Sequence, residues 1–434
     1  MLLLAVLLTG AAPHRAAPPV REITEDGYRV RLNLSQQVLS LSIPEARDWS
    51  FEPADRARAI EPELAASPAA LGSPDFLSAS MLAQKAKQFD DGLYAAVELA
   101  AQKGAGTFAG KQAMLRAVAE ALAGASAGHF GNVRGTVMAG AQLGGLPPLG
   151  STDVRAEVQA TVTEFMGDPL RSKPLGFYTW SGDLSAIFQQ DRMLQGELKG
   201  EEGIAALARI LHHERRGARK AYEQMLTLAE RLTNPLSKDD LRPLLKQLDE
   251  GTLEAPADKV HFLPPSRSQE ADLVMKLYGN RPIPEGFSLV DEMIARIRAG
   301  RLALKPTERS GWYDYQTWAL EPLVIPEKMP EAEHLQLDDS YRKQLLELFR
   351  SLIALTRETH VKQLEIVETG AAAPGWETVI PIDPGLSVEP LATYYLRRAQ
   401  SYRFVRDTWR NADAVLQPYV REANDYVGRS RARD

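Results

Sequence analysis

From Tyr341 to Val367 the chain reads YRKQLLELFRSLIALTRETHVKQLEIV, with neither Gly nor Pro. Leu345, Leu348, Phe349, Leu352 and Leu355 recur at three- and four-residue spacing, which places them along one side of a helix. One turn further on, the same side carries Thr356, Thr359, His360 and Gln363. A packed face that turns polar is either hydrogen-bonded inside the protein or lines a cavity. The pattern therefore predicts a long C-terminal helix whose apolar seam leads into a polar interior region.

The rest of the chain repeats the helical period. Phe76 to Ser126 is Ala-rich and predicts two helices broken near Gly104 and Gly106, the second with Met114, Val118 and Leu122 as its buried stripe. Further helices are expected from Asp153 to about Met166 and after a cap at Ser181 or Asp183, where Leu184, Ile187, Phe188 and Leu194 pack. One long helix is expected over Ala205 to Leu232, stopped by Asn234-Pro235, and a short one over Leu241 to Leu248. Gln269 to Tyr278 reads as a helix capped by Ser266, and Leu289 to Ala299 as one capped by Ser288. Trp312 to Leu320 and Leu391 to Leu416 complete the set.

Strand signals are few. Tyr28 to Leu34 and then Leu39, Leu41 and Ile43 alternate apolar and polar, and Thr378 to Ile382 is a possible lone strand. Glu52 to Pro74, rich in Pro, Ala and acidic residues, reads as an irregular covering loop. Strands do not alternate with helices, so the expected fold is mainly α: a large irregular helical domain or domains with a small β element near the N-terminus. Gly144-Gly-Leu-Pro-Pro-Leu-Gly150 can be neither helix nor central strand. It divides an N-terminal region, 19–150, from a C-terminal helical domain, 151–434, unless the two form one continuous domain.

The first residues, MLLLAVLLTGAAPHRAAPP, place an apolar run before Gly10, Ala11 and Ala12. This predicts a signal peptide over 1–18 and an exported, periplasmic, cell-envelope or secreted protein. No other apolar run is long enough to span a bilayer, so the mature chain is expected to have no transmembrane segment. The 434 residues include no Cys, which excludes disulfides, thiolate metal sites and cysteine nucleophiles. A net charge of −6 with no basic stripe gives no reason to expect nucleic acid.

Candidate chemistry follows from what remains. Of the seven histidines, His212-His213-Glu214 is the only local cluster, and adjacent residues point about 100° apart on a helix. No metal site and no cofactor is therefore expected. The paired carboxylates Asp239-Asp240, Asp291-Glu292 and Asp338-Asp339 lie near helix starts, where they complement the dipole. Gly104, Gly106, Gly110 and Lys111 superficially resemble a phosphate loop, but the spacing is wrong and no strand precedes them. His360 is the one candidate general base, although a buried hydrogen-bonded histidine is the preferred reading of that position.

Aromatic clusters point elsewhere. Phe177-Tyr178-Thr179-Trp180 and Trp312-Tyr-Asp-Tyr-Gln-Thr-Trp318 precede or open helices. Buried Tyr and Trp need partners for their polar tips, and exposed ones offer rings for stacking on a ligand. Tyr178, Trp180, Asp191, Trp312, Tyr313, Asp314, Thr356, Gln363 and Tyr395 are the expected ligand-binding residues, for a small molecule, a glycan or an envelope protein. The competing reading is a hydrolase-like enzyme with His360 as base.

Lys173–Leu194 (KPLGFYTWSGDLSAIFQQDRML), Trp312–Leu323 (WYDYQTWALEPL), Ala354–Glu365 and Leu386–Asp407 resemble a group of uncharacterised exported bacterial proteins. The resemblance implies export and an α-rich fold. It covers only the part after Lys173 and implies no activity and no site residue.

Overall fold

The computed structural model describes residues 20–25, 28–33, 38–42, 49–51, 79–125, 130–213, 217–253, 259–359 and 391–411. The expected leader over 1–18, the Glu52–Pro74 loop, the Thr378–Ile382 strand, and His360 and Gln363 lie outside these residues. The protein is mainly helical, and among the described residues no helix is long and apolar enough to cross a membrane.

Four strands open the chain: β1 (Val20–Glu25), β2 (Tyr28–Asn33), β3 (Val38–Ser42) and β4 (Trp49–Phe51). They form an antiparallel meander in which Val30 stands opposite Ile23 on one side and Leu41 on the other. The helical body follows, starting with α1 (Ala79–Lys103). Its long run of Ala makes a slim rod, and Tyr94, Ala95, Ala96, Val97, Leu99, Ala100 and Ala101 are all buried. A helix apolar on most sides belongs in the interior, with other helices around it.

Gly104 and Gly110, at φ 84 and 81, make the reversal that ends α1. A Cβ on Gly110 would stand 2.4 Å from the Gly104 nitrogen, so this turn is open only to glycine. α2 (Gly110–Gly124) then runs back along α1. It is followed by α3 (Val133–Leu143), α4 (Thr152–Met166), the short α5 (Pro169–Ser172), a 3₁₀ turn at Gly176–Thr179 and α6 (Gly182–Leu194). Ser181 caps α6 as expected, its Oγ accepting from the Leu184 nitrogen at 3.1 Å.

A second sheet lies within the helical body rather than near the N-terminus. It pairs β5 (Glu197–Lys199) with β6 (Lys259–His261). Three-residue strands carry too few positions to show a period. Between them stand α7 (Glu201–His213), α8 (Ala218–Leu232) and α9 (Arg242–Glu250). The single helix expected over Ala205–Leu232 is thus two helices. Gly217, at φ 83, adopts a left-handed conformation that a continuous helix cannot hold.

α10 (Gln269–Tyr278), α11 (Leu289–Arg298), α12 (Trp312–Ala319), α13 (Glu321–Val324), α14 (Asp339–Thr359) and α15 (Ala392–Asn411) complete the body. The cap of α10 is Ser268, whose Oγ accepts from the Ala271 nitrogen at 3.1 Å, and not Ser266. Ser266 instead pairs its backbone with Leu236 in an isolated bridge.

Three apolar cores hold these elements. The first runs from Met114 to Leu263, and Leu146, in the Gly144–Gly150 turn, packs into it. The second takes the seam Leu345, Leu348, Phe349, Leu352 and Leu355 of α14 against Leu273, Met293 and Leu323. The third gathers α1 with Phe177, Tyr178, Phe188, Leu232, Trp312, Tyr313, Val405 and Trp409. Residues far apart in sequence therefore meet around α1.

The crossing of α12 and α8 is especially tight. A Cβ on Gly311 would fall 1.9 Å from the Thr233 carbonyl oxygen and 2.8 Å from that of Glu230. Both neighbours are backbone and cannot swing aside. Gly311→Ala is expected to lower stability by about 1–3 kcal/mol through overpacking, read as a lower urea midpoint at unchanged slope.

Candidate functional site

Along the buried α1, polar residues recur at every fourth position: Asp90, Tyr94, Glu98 and Gln102. This spacing sets them in one line down the helix. Each reaches a different neighbour. Asp90 accepts from Arg398 Nη2 of α15 at 3.0 and 2.8 Å and from Tyr402 Oη at 2.8 Å. Gln316 of α12 donates to the same carboxylate at 3.3 Å. Burial works against the Arg398 charge, yet Asp90 and Tyr402 hold its pKa above the ordinary value.

Tyr94 Oη donates to the Leu232 carbonyl at 3.0 Å and stands 3.3 Å from Tyr313 Oη. Its ring stacks on Trp312 at 5.3 Å. Gln102 and Gln190 exchange two amide hydrogen bonds, both 2.8 Å.

The densest charge lies at Glu98. Lys111 of α2, its side chain 0% exposed, donates to Asp191 Oδ2 at 2.6 Å and lies 3.5 Å from Glu98 Oε2. Tyr178 Oη donates to Glu98 Oε1 at 2.9 Å, and Gln190 Nε2 to Asp191 Oδ1 at 3.1 Å. Lys111 occupies the first turn of α2, the positive end of the helix dipole, where an ammonium is disfavoured by about 0.3–1 kcal/mol. Dehydrating that ammonium costs several kcal/mol more. Two carboxylates offset both penalties.

Beside this trio is a partly open cavity of about 70 Å³. Tyr94, Glu98, Lys111, Asp191, Gln195, Thr233 and Ser266 supply its polar lining. Val97, Met225, Leu226, Leu263 and Pro264 are among the apolar residues on its walls. At roughly 10–15 Å³ per water centre, the space takes about five to seven water-sized groups. Ser266 is buried, and its Oγ has no hydrogen-bond partner among the described residues.

The expected site residues divide accordingly. Tyr178, Asp191 and Tyr313 converge on the α1 line. Trp312 lies beside them but is fully buried against Tyr94, so the structure leaves no ring face for stacking on a ligand. Trp180, half-buried, packs edge-on against Phe177 at 6.0 Å. Asp314 turns away and pairs with Lys276. Thr356 donates to the Leu352 carbonyl of its own helix at 2.8 Å. Tyr395 sits in the second core, edge-to-face with Tyr394 at 4.9 Å. His212 forms part of a surface ion pair: Arg219, and then His212, hold the exposed Asp249 carboxyl down to about 2.

Glu98, Lys111, Gln102 and Gln190 were not anticipated as site residues. Their signal was present in the i, i+4 repeat of hydrogen-bonding side chains through an Ala-rich helix. Comparison with known proteins adds nothing to this geometry, because no family model, no curated protein and no solved structure matches the chain.

Two tests follow. Lys111→Met removes the ammonium from between two buried carboxylates and is expected to cost about 3–5 kcal/mol by urea denaturation; adding Asp191→Asn and Glu98→Gln should return most of it. The second concerns alkaline pH. Burial, then Glu98, raises Tyr178 well above the ordinary 10.0, and burial, then Tyr94, does the same for Tyr313. The folded state therefore holds protons that the unfolded chain releases near pH 10, and stability is full below that pH and falls above it. Tyr178→Phe should flatten the fall in melting temperature above pH 10.

Proposed function

We propose that the chain is an exported, helical binding protein of the cell envelope that holds a small polar molecule in the cavity beside Glu98, Lys111 and Asp191. The observation that carries this reading is a fully buried ion trio set against solvent-sized space. A purely structural ion cluster gains most from tight packing around it, since apolar replacement is commonly as stable or more so. Here one side of the trio adjoins a cavity also lined by Ser266, whose hydroxyl has no hydrogen-bond partner among the described residues. The apolar leader supports export, and the size of the space favours a small molecule over a glycan. Its walls, apolar apart from a few converging polar groups, have the composition common to ligand sites.

The test is a thermal-shift survey of the full chain with small alcohols, amides, amines and carboxylates. At a concentration of 100 Kd a ligand should stabilise the protein by about 2.7 kcal/mol. Ala229→Met, which fills the cavity from its wall, should abolish that shift while the variant stays folded by circular dichroism. A survey in which no compound shifts the wild type, or in which every shift survives Ala229→Met, refutes the reading.

A further inference from the structure

We infer that the cavity takes a small uncharged molecule with a hydroxyl or carboxamide head and a short aliphatic body; this rests on the cavity being a ligand site, as proposed above. Ser266 decides the head. It is 4% exposed and lines the cavity, and its Oγ has no hydrogen-bond partner among the described residues. A buried hydroxyl left unpaired is costly, and an occupant of the adjoining space that bonds it removes that cost. The segment carrying it is held firmly. Ser237 donates to the Pro265 carbonyl from its nitrogen at 2.9 Å and from its hydroxyl at 3.0 Å. Asn234 Nδ2 donates to the Arg267 carbonyl at 3.2 Å. The serine is thus in position before anything binds, which spares the occupant the cost of ordering it.

A serine hydroxyl donates once and accepts twice, so it suits a head that does both. Thr233, in the same lining, donates its own proton back to the Ala229 carbonyl at 2.5 Å and leaves only an acceptor for the cavity. Alcohols and primary amides can answer both residues; ethers and ketones, which only accept, cannot. Ionic heads fit less well. Lys111 is engaged with Asp191 and Glu98, Glu98 also with Tyr178, and Asp191 also with Gln190. Outside these three the lining has no Asp, Glu, Lys, Arg or His. A charged occupant would shed its hydration among largely apolar walls without a counter-charge of its own, a cost that a neutral head avoids. Val97, Met225, Leu226 and Leu263 suit methylenes. Space for about five to seven groups fits a four-carbon body with its head and excludes a hexose.

Four probes of similar shape separate charge from size: 1-butanol, butyramide, n-butylammonium and butyrate. Binding to the full chain is measured by ligand-observed NMR titration at pH 7. Both neutral probes are expected to bind at least tenfold more tightly than either ion. Ser266→Ala should weaken the neutral probes several-fold, and Ala229→Met should remove them, with both variants folded by circular dichroism.

The failures are distinguishable. An ion that binds as tightly as the neutral probes, and is lost in Ala229→Met, overturns the uncharged assignment and leaves the binding reading intact. Neutral probes that bind Ser266→Ala as well as the wild type likewise overturn the assignment of the head. No binding by any of the four, or binding that survives Ala229→Met, removes the assignment together with the site.

Discussion

The burial of the Lys111 ammonium between Glu98 and Asp191 constrains the rest of the molecule. Three helices supply the three charges, α2, α1 and α6, and none can shift without pulling a buried ion pair apart. The penalty for separating such a pair, about 3–5 kcal/mol, is a large part of an ordinary domain's stability of 5–15 kcal/mol. The trio therefore acts as a positional lock. It fixes the Gly104–Gly110 reversal at one end and the Tyr178 turn at the other, and through Gln190 and Gln102 it extends to the last turn of α1.

The same logic runs the length of α1. Asp90 ties it to α15 across more than three hundred residues of sequence, and Tyr94 ties it to α8 and α12. Apolar packing alone tolerates sliding of an Ala-rich rod, whose surface has few deep ridges to lock against a neighbour. Directional bonds at four successive turns do not. Specificity of docking is thus carried by polar groups and driving force by the three apolar cores, a division that Ala content makes necessary.

What could be read beforehand follows from how local the signal was. The seam of α14, the caps at Ser181 and Ser288 and the mainly helical character all depend on spacing within one element, and the structure has them where the spacing placed them. The break at Gly217 turned on a single backbone angle, and the β5–β6 pairing on partners about sixty residues apart. The change from Leu to Thr, His and Gln points to a polar centre on α14, of which His360 and Gln363 lie outside the described residues. Thr356 proves to bond its own helix, while the buried polar line belongs to α1. A polar residue every fourth position among alanines is easily taken for a solvated face. Only the surrounding helices reveal that it is interior.

Trp312 shows why aromatic content by itself is a poor guide to a ligand. Stacked on Tyr94 and fully buried, it closes the third core instead of presenting a face. Yet it also sets the environment in which the site works. Large rings around Tyr94, Tyr178 and Tyr313 pack beside the trio, and a charge in a low-dielectric setting acts more strongly on its neighbours than the same charge at the surface. The cavity beside the trio lies within reach of that field, and the Ser266 hydroxyl, without a hydrogen-bond partner among the described residues, lines the same space.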